Sequence, residues 1–238
     1  ASPLIWGRLC FVHLGGDDRS HFDSPGSGAM VALDVADGRE VWRWAGDGPA
    51  MGASPVIATI GGREQLLFKT RRKLVSLDPA TGQEPWQLAY VVSQDNAIVT
   101  PLVLGDRFVT SDYDFGTGAW QIRRASRPGT WTAQALWKTR DPSMFMSSPV
   151  VVGGLVVGFS HFRKGQLFAL DPADGAVVWR GDPRSGDHAT IVGWADCALV
   201  FREDGWLEVH RVSRAGLRLE RRYQVGGSTA WSHPAITG

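Results

Sequence analysis

Ala169-Leu170-Asp171-Pro172-Ala173-Asp174-Gly175-Ala176-Val177-Val178-Trp179 reads as a β-hairpin written in residue types. Gln166 to Leu170 is a short apolar run of strand character. Asp171 and Pro172 suit the first two positions of a type I turn, because Asp accepts from its own downstream backbone and Pro presets φ. Gly175 stands where the chain needs a positive φ to rejoin the sheet. Val177, Val178 and Trp179 open the second strand. The same text returns at Ala32 to Trp42, A-L-D-V-A-D-G-R-E-V-W, and at Ser76 to Trp86, S-L-D-P-A-T-G-Q-E-P-W. Asp34, Asp78 and Asp171 therefore share one offset, Gly38, Gly82 and Gly175 a second, and Trp42, Trp86 and Trp179 a third.

Working outward, the closing aromatics define a period. Trp42, Trp86, Trp137 and Trp179 are separated by 44, 51 and 42 residues, with Trp137 in a degenerate copy, and Tyr223 follows 44 residues later in the tryptophan slot. A second marker runs out of phase with the first: Ser2-Pro3, Ser54-Pro55, Thr100-Pro101 and Ser148-Pro149 each open a new apolar run, and Ser232-His233-Pro234 does the same near the end. Short strands repeating every 40–45 residues or so mark a β-propeller, one four-stranded blade per repeat. The expected fold is all-β, with antiparallel blades over residues 2–47, 54–90, 100–139, 148–182 and 190–225 and the first strand of another over 232–238. Propeller blades bury both faces, so five blades and one strand leave faces uncovered. The expectation is a ring of seven or eight blades, with the missing blades as partners of these.

Composition narrows the function classes. Formal net charge is +1, which argues against nucleic acid as a partner. No apolar run reaches the roughly 18 residues of a membrane span. No signal peptide is visible and the first methionine is Met30, so the native start is expected to lie upstream. Cys10 and Cys197 fall on equivalent strands of different blades, too far apart for a disulfide, and read as buried thiols.

The repeated Ala/Ser-Leu-Asp-x-x-x-Gly-x-x-x-Trp hairpin resembles the tryptophan-docking repeat of quinoprotein-like propellers, the pyrroloquinoline quinone (PQQ)-like repeat proteins. That resemblance covers essentially the whole chain. It implies complete rings that commonly have eight blades, with the closing Trp of each blade packed on its neighbour. Segments such as S-Q-D-N-A-I-V-T-P, M-F-M-S-S-P-V and A-W-S-H-P are similar to the non-catalytic bacterial members, which include the propeller lipoprotein of the outer-membrane assembly machinery. A periplasmic or secreted location follows from the resemblance alone.

Catalytic quinoproteins carry an adjacent Cys-Cys pair and a Glu/Asn/Asp set around Ca²⁺; this sequence has no Cys-Cys, and no position carries over as ligand or base. No cofactor is therefore expected, and PQQ with Ca²⁺ belongs only to the alternative reading of a PQQ-dependent oxidoreductase. Asp17, Asp18 and Asp23 read as turn-forming residues of a solvated loop rather than Ca²⁺ ligands. In a propeller, the loops leading into each inner strand and those between second and third strands share one face, around the channel mouth. Gln94, Asn96, Met146, Ser147, His188, Trp231 and His233 fall there and are the candidate ligand-binding residues. The long loops Gly15 to Gly28 and Tyr113 to Gly118 open on the same face. The leading functional expectation is a non-catalytic platform for a protein or small-molecule ligand. A second alternative, a hydrolase or lyase at the channel mouth, would have to draw on Asp95, Asp187, His188 and His233.

Overall fold

Runs of β-branched and aromatic residues, cut by turn residues, give twenty strands among the described residues, and these form five antiparallel sheets of four. The structure, a computed structural model, describes residues 2–14, 28–46, 52–70, 72–89, 97–126 and 131–227. Each sheet is a meander in chain order. Blade one is β1 (Leu4–Trp6), β2 (Leu9–Leu14), β3 (Ala29–Asp34) and β4 (Glu40–Ala45). Blade two is β5 (Val56–Ile60), β6 (Arg63–Lys69), β7 (Lys73–Leu77) and β8 (Trp86–Ala89). Blade three is β9 (Leu102–Leu104), β10 (Arg107–Asp112), β11 (Gly116–Arg124) and β12 (Trp131–Thr139). Blade four is β13 (Val150–Val152), β14 (Leu155–Ser160), β15 (Gln166–Leu170) and β16 (Val177–Arg180). Blade five is β17 (Ala189–Trp194), β18 (Cys197–Arg202), β19 (Trp206–Ser213) and β20 (Gly216–Gln224). The strand expected over 232–238 lies outside the described residues.

Four apolar clusters hold the blades together, one at each junction. Phe11, Met30 and Trp42 meet Leu66, Phe68 and Leu77 between blades one and two. Leu67, Leu74 and Trp86 meet Phe108 and Trp120 between blades two and three. Val109 and Ala119 meet Val156, Phe168 and Leu170 at the next junction, and Val157, Phe159 and Leu167 meet Ile191 and Val200 at the last. Strand pleating explains the division: Leu66 and Phe68 point to blade one, and Leu67 between them points to blade three. Every residue of β14 and β15 is consequently buried.

The repeated hairpin has the expected turn. Gly175 N–H donates to the Asp171 carbonyl at 2.9 Å, Ala173 N–H donates to Asp171 Oδ1 at 2.9 Å, and φ at Gly175 is 73°. Asp34 and Asp78 make the same turns, with φ of 74° at Gly38 and 70° at Gly82. The backbone bonds hold the Asp34 and Asp171 carboxyls below their ordinary pKa, aided by Arg8 and Arg214. Across the junction, Trp42 Nε1 donates to the Pro79 carbonyl at 3.0 Å, Trp137 to the Pro172 carbonyl at 3.1 Å and Trp179 to the Ser213 carbonyl at 2.9 Å. Trp86 differs, donating within its own blade to Gln65 Oε1 at 2.7 Å.

The Ser/Thr-Pro openings form a second set of fasteners. Ser2 N–H donates to Ser54 Oγ, Ser54 N–H to Thr100 Oγ1 and Thr100 N–H to Ser148 Oγ, each at 3.0 Å. The hydroxyls are thus spoken for by neighbouring backbone.

Several expectations need correcting. Trp42 and Trp86 are buried, whereas Trp137 and Trp179 are half-exposed, although all four lie on the outermost strands of their blades. Counting by period puts Tyr223 in the tryptophan slot, yet the β-bulge gives another register. Trp42 and Trp179 stand opposite Ala32 and Ala169, just before the bulge; in blade five that place is held by Arg221, opposite Val209. Tyr223, opposite Leu207, corresponds to Trp44 and is 49% exposed. The loop read as Tyr113 to Gly118 is shorter, since Gly116 already pairs with Asp112 in the sheet. Cys10 and Cys197 are free, as expected, but half-buried.

Candidate functional site

A four-stranded meander puts its second-to-third loop and its exit to the next blade at the same end. In blades three to five this end is knitted together. Ser143, between β12 and β13, donates from Oγ to the Asp112 carbonyl at 2.6 Å, and Met144 N–H donates to Ser111 Oγ at 2.8 Å. His161 N–H donates to the Ser143 carbonyl at 3.1 Å, and Arg184 N–H to the Arg163 carbonyl at 3.0 Å. Four connecting segments, β10–β11, β12–β13, β14–β15 and β16–β17, therefore share one hydrogen-bond network.

Aromatic side chains stand on that network. Tyr113 stacks on His161 with centroids 4.2 Å apart and planes 16° apart. Phe145 meets Tyr113 edge-on at 5.1 Å, and Phe162 lies 4.4 Å from His161. His161 Nδ1 is 3.0 Å from the Ser143 carbonyl, which can only accept, so Nδ1 carries the proton of the neutral ring. Burial pushes the His161 pKa below its ordinary value, outweighing the Ser143 carbonyl and the charges of Asp114 and Asp141. Tyr113, Asp114, Arg140, His161, Phe162 and Arg163 line a cleft of about 440 Å³.

Beneath the rim, Asp141 is clamped between two arginines, Arg163 Nη2 at 2.8 Å and Arg180 Nη1 at 3.0 Å. Burial works to raise the Asp141 pKa, but the two guanidiniums win and hold it below its ordinary value. Lower still, Lys69 at the end of β6 and Asp112 at the end of β10 form an ion pair of 2.7 Å that is buried on both sides. Lys69 Nζ also reaches Thr110 Oγ1 and the Ser111 carbonyl, each at 3.2 Å. Burial lowers the Lys69 pKa, with Asp112 opposing. This pair joins blade two to blade three at the residue preceding Tyr113.

The seven residues singled out from the sequence divide. Gln94, Asn96, Trp231 and His233 lie outside the described residues, as do Asp17, Asp18, Asp23 and Asp95. Ser147 and His188 are buried and adjacent, Ser147 Oγ lying 3.4 Å from His188 Nδ1 and 3.4 Å from the Ala189 N–H that it accepts. Met146 is half-exposed beside them. Arg140, His161, Phe162 and Arg163 were not singled out. The signal was present: S-H-F-R-K-G occupies the second-to-third loop of blade four, where Tyr113 sits in blade three.

Half-exposed rings beside arginine supply large contact area with charged hydrogen-bond donors at its edge. Among the described residues no group of three or more His, Cys, Asp or Glu could hold a metal ion, and no helix is long and apolar enough to cross a membrane.

Known structures resemble this one at low identity. The crystal structure of BamB from Moraxella catarrhalis matches at TM-score 0.61 and 15% identity, over 95% of this chain and 64% of that one. A chain in a crystal structure of the mitotic checkpoint complex matches at TM-score 0.67 and 15% identity, over 94% of this chain and 66% of that one. A europium-containing methanol dehydrogenase matches at TM-score 0.52 and 15% identity, over 93% of this chain and 50% of that one. At such identities the likeness shows the propeller fold alone. No curated protein matches the sequence. The family model described as outer membrane protein assembly factor BamB matches residues 3–181, about three quarters of the chain, and by that match the chain belongs to this family of PQQ-like repeat propellers.

Proposed function

We propose that this protein is a non-catalytic propeller that binds a protein on its loop-rich face, in the bacterial envelope or outside the cell. The observation that carries the reading is the rim of Tyr113, Phe145, His161 and Phe162 beside Arg140 and Arg163. Exposed aromatic and arginine side chains on a rigid frame are what binding hot spots are made of. Ser143 and the backbone bonds around it hold the frame, so little ordering entropy is lost on docking. Half-exposed Met146 extends the face toward blade five, above the buried Ser147 and His188. The family's description, an outer-membrane assembly factor, supports an envelope setting. The test is site-specific photocrosslinking in cells making the full-length protein. A crosslinker at Phe162 is expected to capture one discrete protein, and one at Val35, on a turn at the opposite end of blade one, is expected not to. Equal capture from both positions, or capture from Val35 alone, overturns the reading.

A further inference from the structure

A second cleft, of about 490 Å³, opens between blades four and five. Trp179, Arg180, Asp182, Ser185, Arg202 and Glu208 line it, with leucines of β15 and β20 between them. Its charged residues are not alike. Arg180 is satisfied by Asp141, through Oδ1 at 3.0 Å and the carbonyl at 3.2 Å. Glu208 accepts from His210 Nε2 at 3.0 Å and lies 3.2 Å from Arg222 Nε, so both its oxygens are engaged. Arg202 stands apart. Its guanidinium makes no hydrogen bond among the described residues, its Nε is enclosed without an acceptor, and its nearest carboxylate, Asp204, is 3.6 Å away. Only 19% of this side chain is exposed, on a wall of the cleft. A buried Nε–H with no hydrogen-bond acceptor is costly, and an acceptor entering from the cleft recovers that cost.

We infer that this cleft binds an acidic saccharide unit, a uronate. A carboxylate is the acceptor that matches a guanidinium fork, by two parallel hydrogen bonds. The indole of Trp179 and the leucines offer the flat apolar contact that the C–H face of a sugar ring takes. Asp182, exposed and in no ion pair among the described residues, and the Ser185 hydroxyl supply an acceptor and a polar partner for ring hydroxyls. A bare carboxylate leaves the apolar wall unused, and a neutral sugar leaves Arg202, whose 3.6 Å ion pair with Asp204 is too long for a hydrogen bond, without a bidentate partner. The volume lies within the range of small-molecule sites, about 300–1,000 Å³.

Titration of the full protein with sodium D-glucuronate, followed by saturation-transfer NMR and calorimetry, tests the assignment. A dissociation constant of about 1 mM or tighter is expected, with D-glucose and acetate each at least about tenfold weaker. Arg202→Gln and Arg202→Lys are each expected to weaken glucuronate at least about tenfold while melting at the wild-type temperature, and Arg43→Gln in blade one to leave it unchanged. Glucose or acetate matching glucuronate on the wild type overturns the inference whatever the variants do. So does glucuronate binding that survives in both folded Arg202 variants, or no saturable binding up to about 20 mM. The substitutions lie away from the aromatic rim, so failure here leaves the loop-face reading to its own crosslinking test.

Discussion

At Gly82 and Gly175 two demands fall on one residue. The backbone is left-handed at both, and a Cβ would stand 2.7 Å from the Trp42 ring and 2.4 Å from the Trp137 ring. Gly38 has the same φ with nothing within 4 Å of its Cβ. Gly38→Ala is therefore expected to lose only the left-handed cost of about 1–2 kcal/mol. Gly82→Ala and Gly175→Ala add overpacking of about 1–3 kcal/mol to that. Urea denaturation of the three variants checks the difference, and equal losses would sink the account of the neighbouring indole as the reason for glycine. His161 makes a pH prediction. Its folded pKa is lowered by burial, so on acidification the unfolded chain takes up the proton first. The His161 contribution to stability is full above the ordinary pKa of about 6.5 and falls as pH drops from there toward the folded value. Melting curves at pH 7 and pH 5 should show a smaller acid loss in His161→Gln than in the wild type; an unchanged difference would mean that the ring is not buried neutral.

Among elements, the buried Lys69–Asp112 pair joins β6 to β10 beside their shared apolar cluster. Removing one partner takes a 2.7 Å counter-ion from the other inside a buried junction, which costs about 3–5 kcal/mol, whereas replacing both with apolar residues of similar size is far milder. Lys69→Met should accordingly unfold at much lower urea than wild type, and Lys69→Met with Asp112→Leu should recover most of the loss. A double variant no better than the single would show that the pair matters for more than charge balance. The same junction shows what could be read from residue order. Hairpin turns are local: Asp34, Asp78 and Asp171 bond a backbone two residues on, so they are written plainly in the chain. The Lys69–Asp112 pair joins residues 43 apart and leaves no local pattern. The Ser/Thr-Pro marker was visible as a repeat, but its use is a bond between residues 46–52 apart, which only the stacked blades disclose. Ser147 and His188 read as polar loop residues, and packing turned them inward against each other. His161 meets blade three's Tyr113 and the Ser143 carbonyl only across the junction, so no local pattern in the sequence marks that contact.

At the scale of the whole molecule, the described residues form five blades joined by four shared cores. PQQ carries three carboxylates and a flat ring system, so tight capture requires several free cations around a stacking plane. Here Arg43, Arg163, Arg180, Arg211 and Arg214 are each paired with a carboxylate within 3.0 Å. Calorimetric titration of this chain with PQQ and excess Ca²⁺ is expected to give a dissociation constant weaker than about 1 μM. A tighter value would place the chain with the oxidoreductases after all. The two sets of fasteners between blades have a direction. Ser54, Thr100 and Ser148 each accept from the opening that precedes them in the chain, and Trp42, Trp137 and Trp179 each reach a turn that comes after them. On the ribosome, then, a newly made blade lacks its own clasps until a further 34–52 residues have emerged. Each blade is finished by its successor, and the growing end always carries one blade still waiting to be closed.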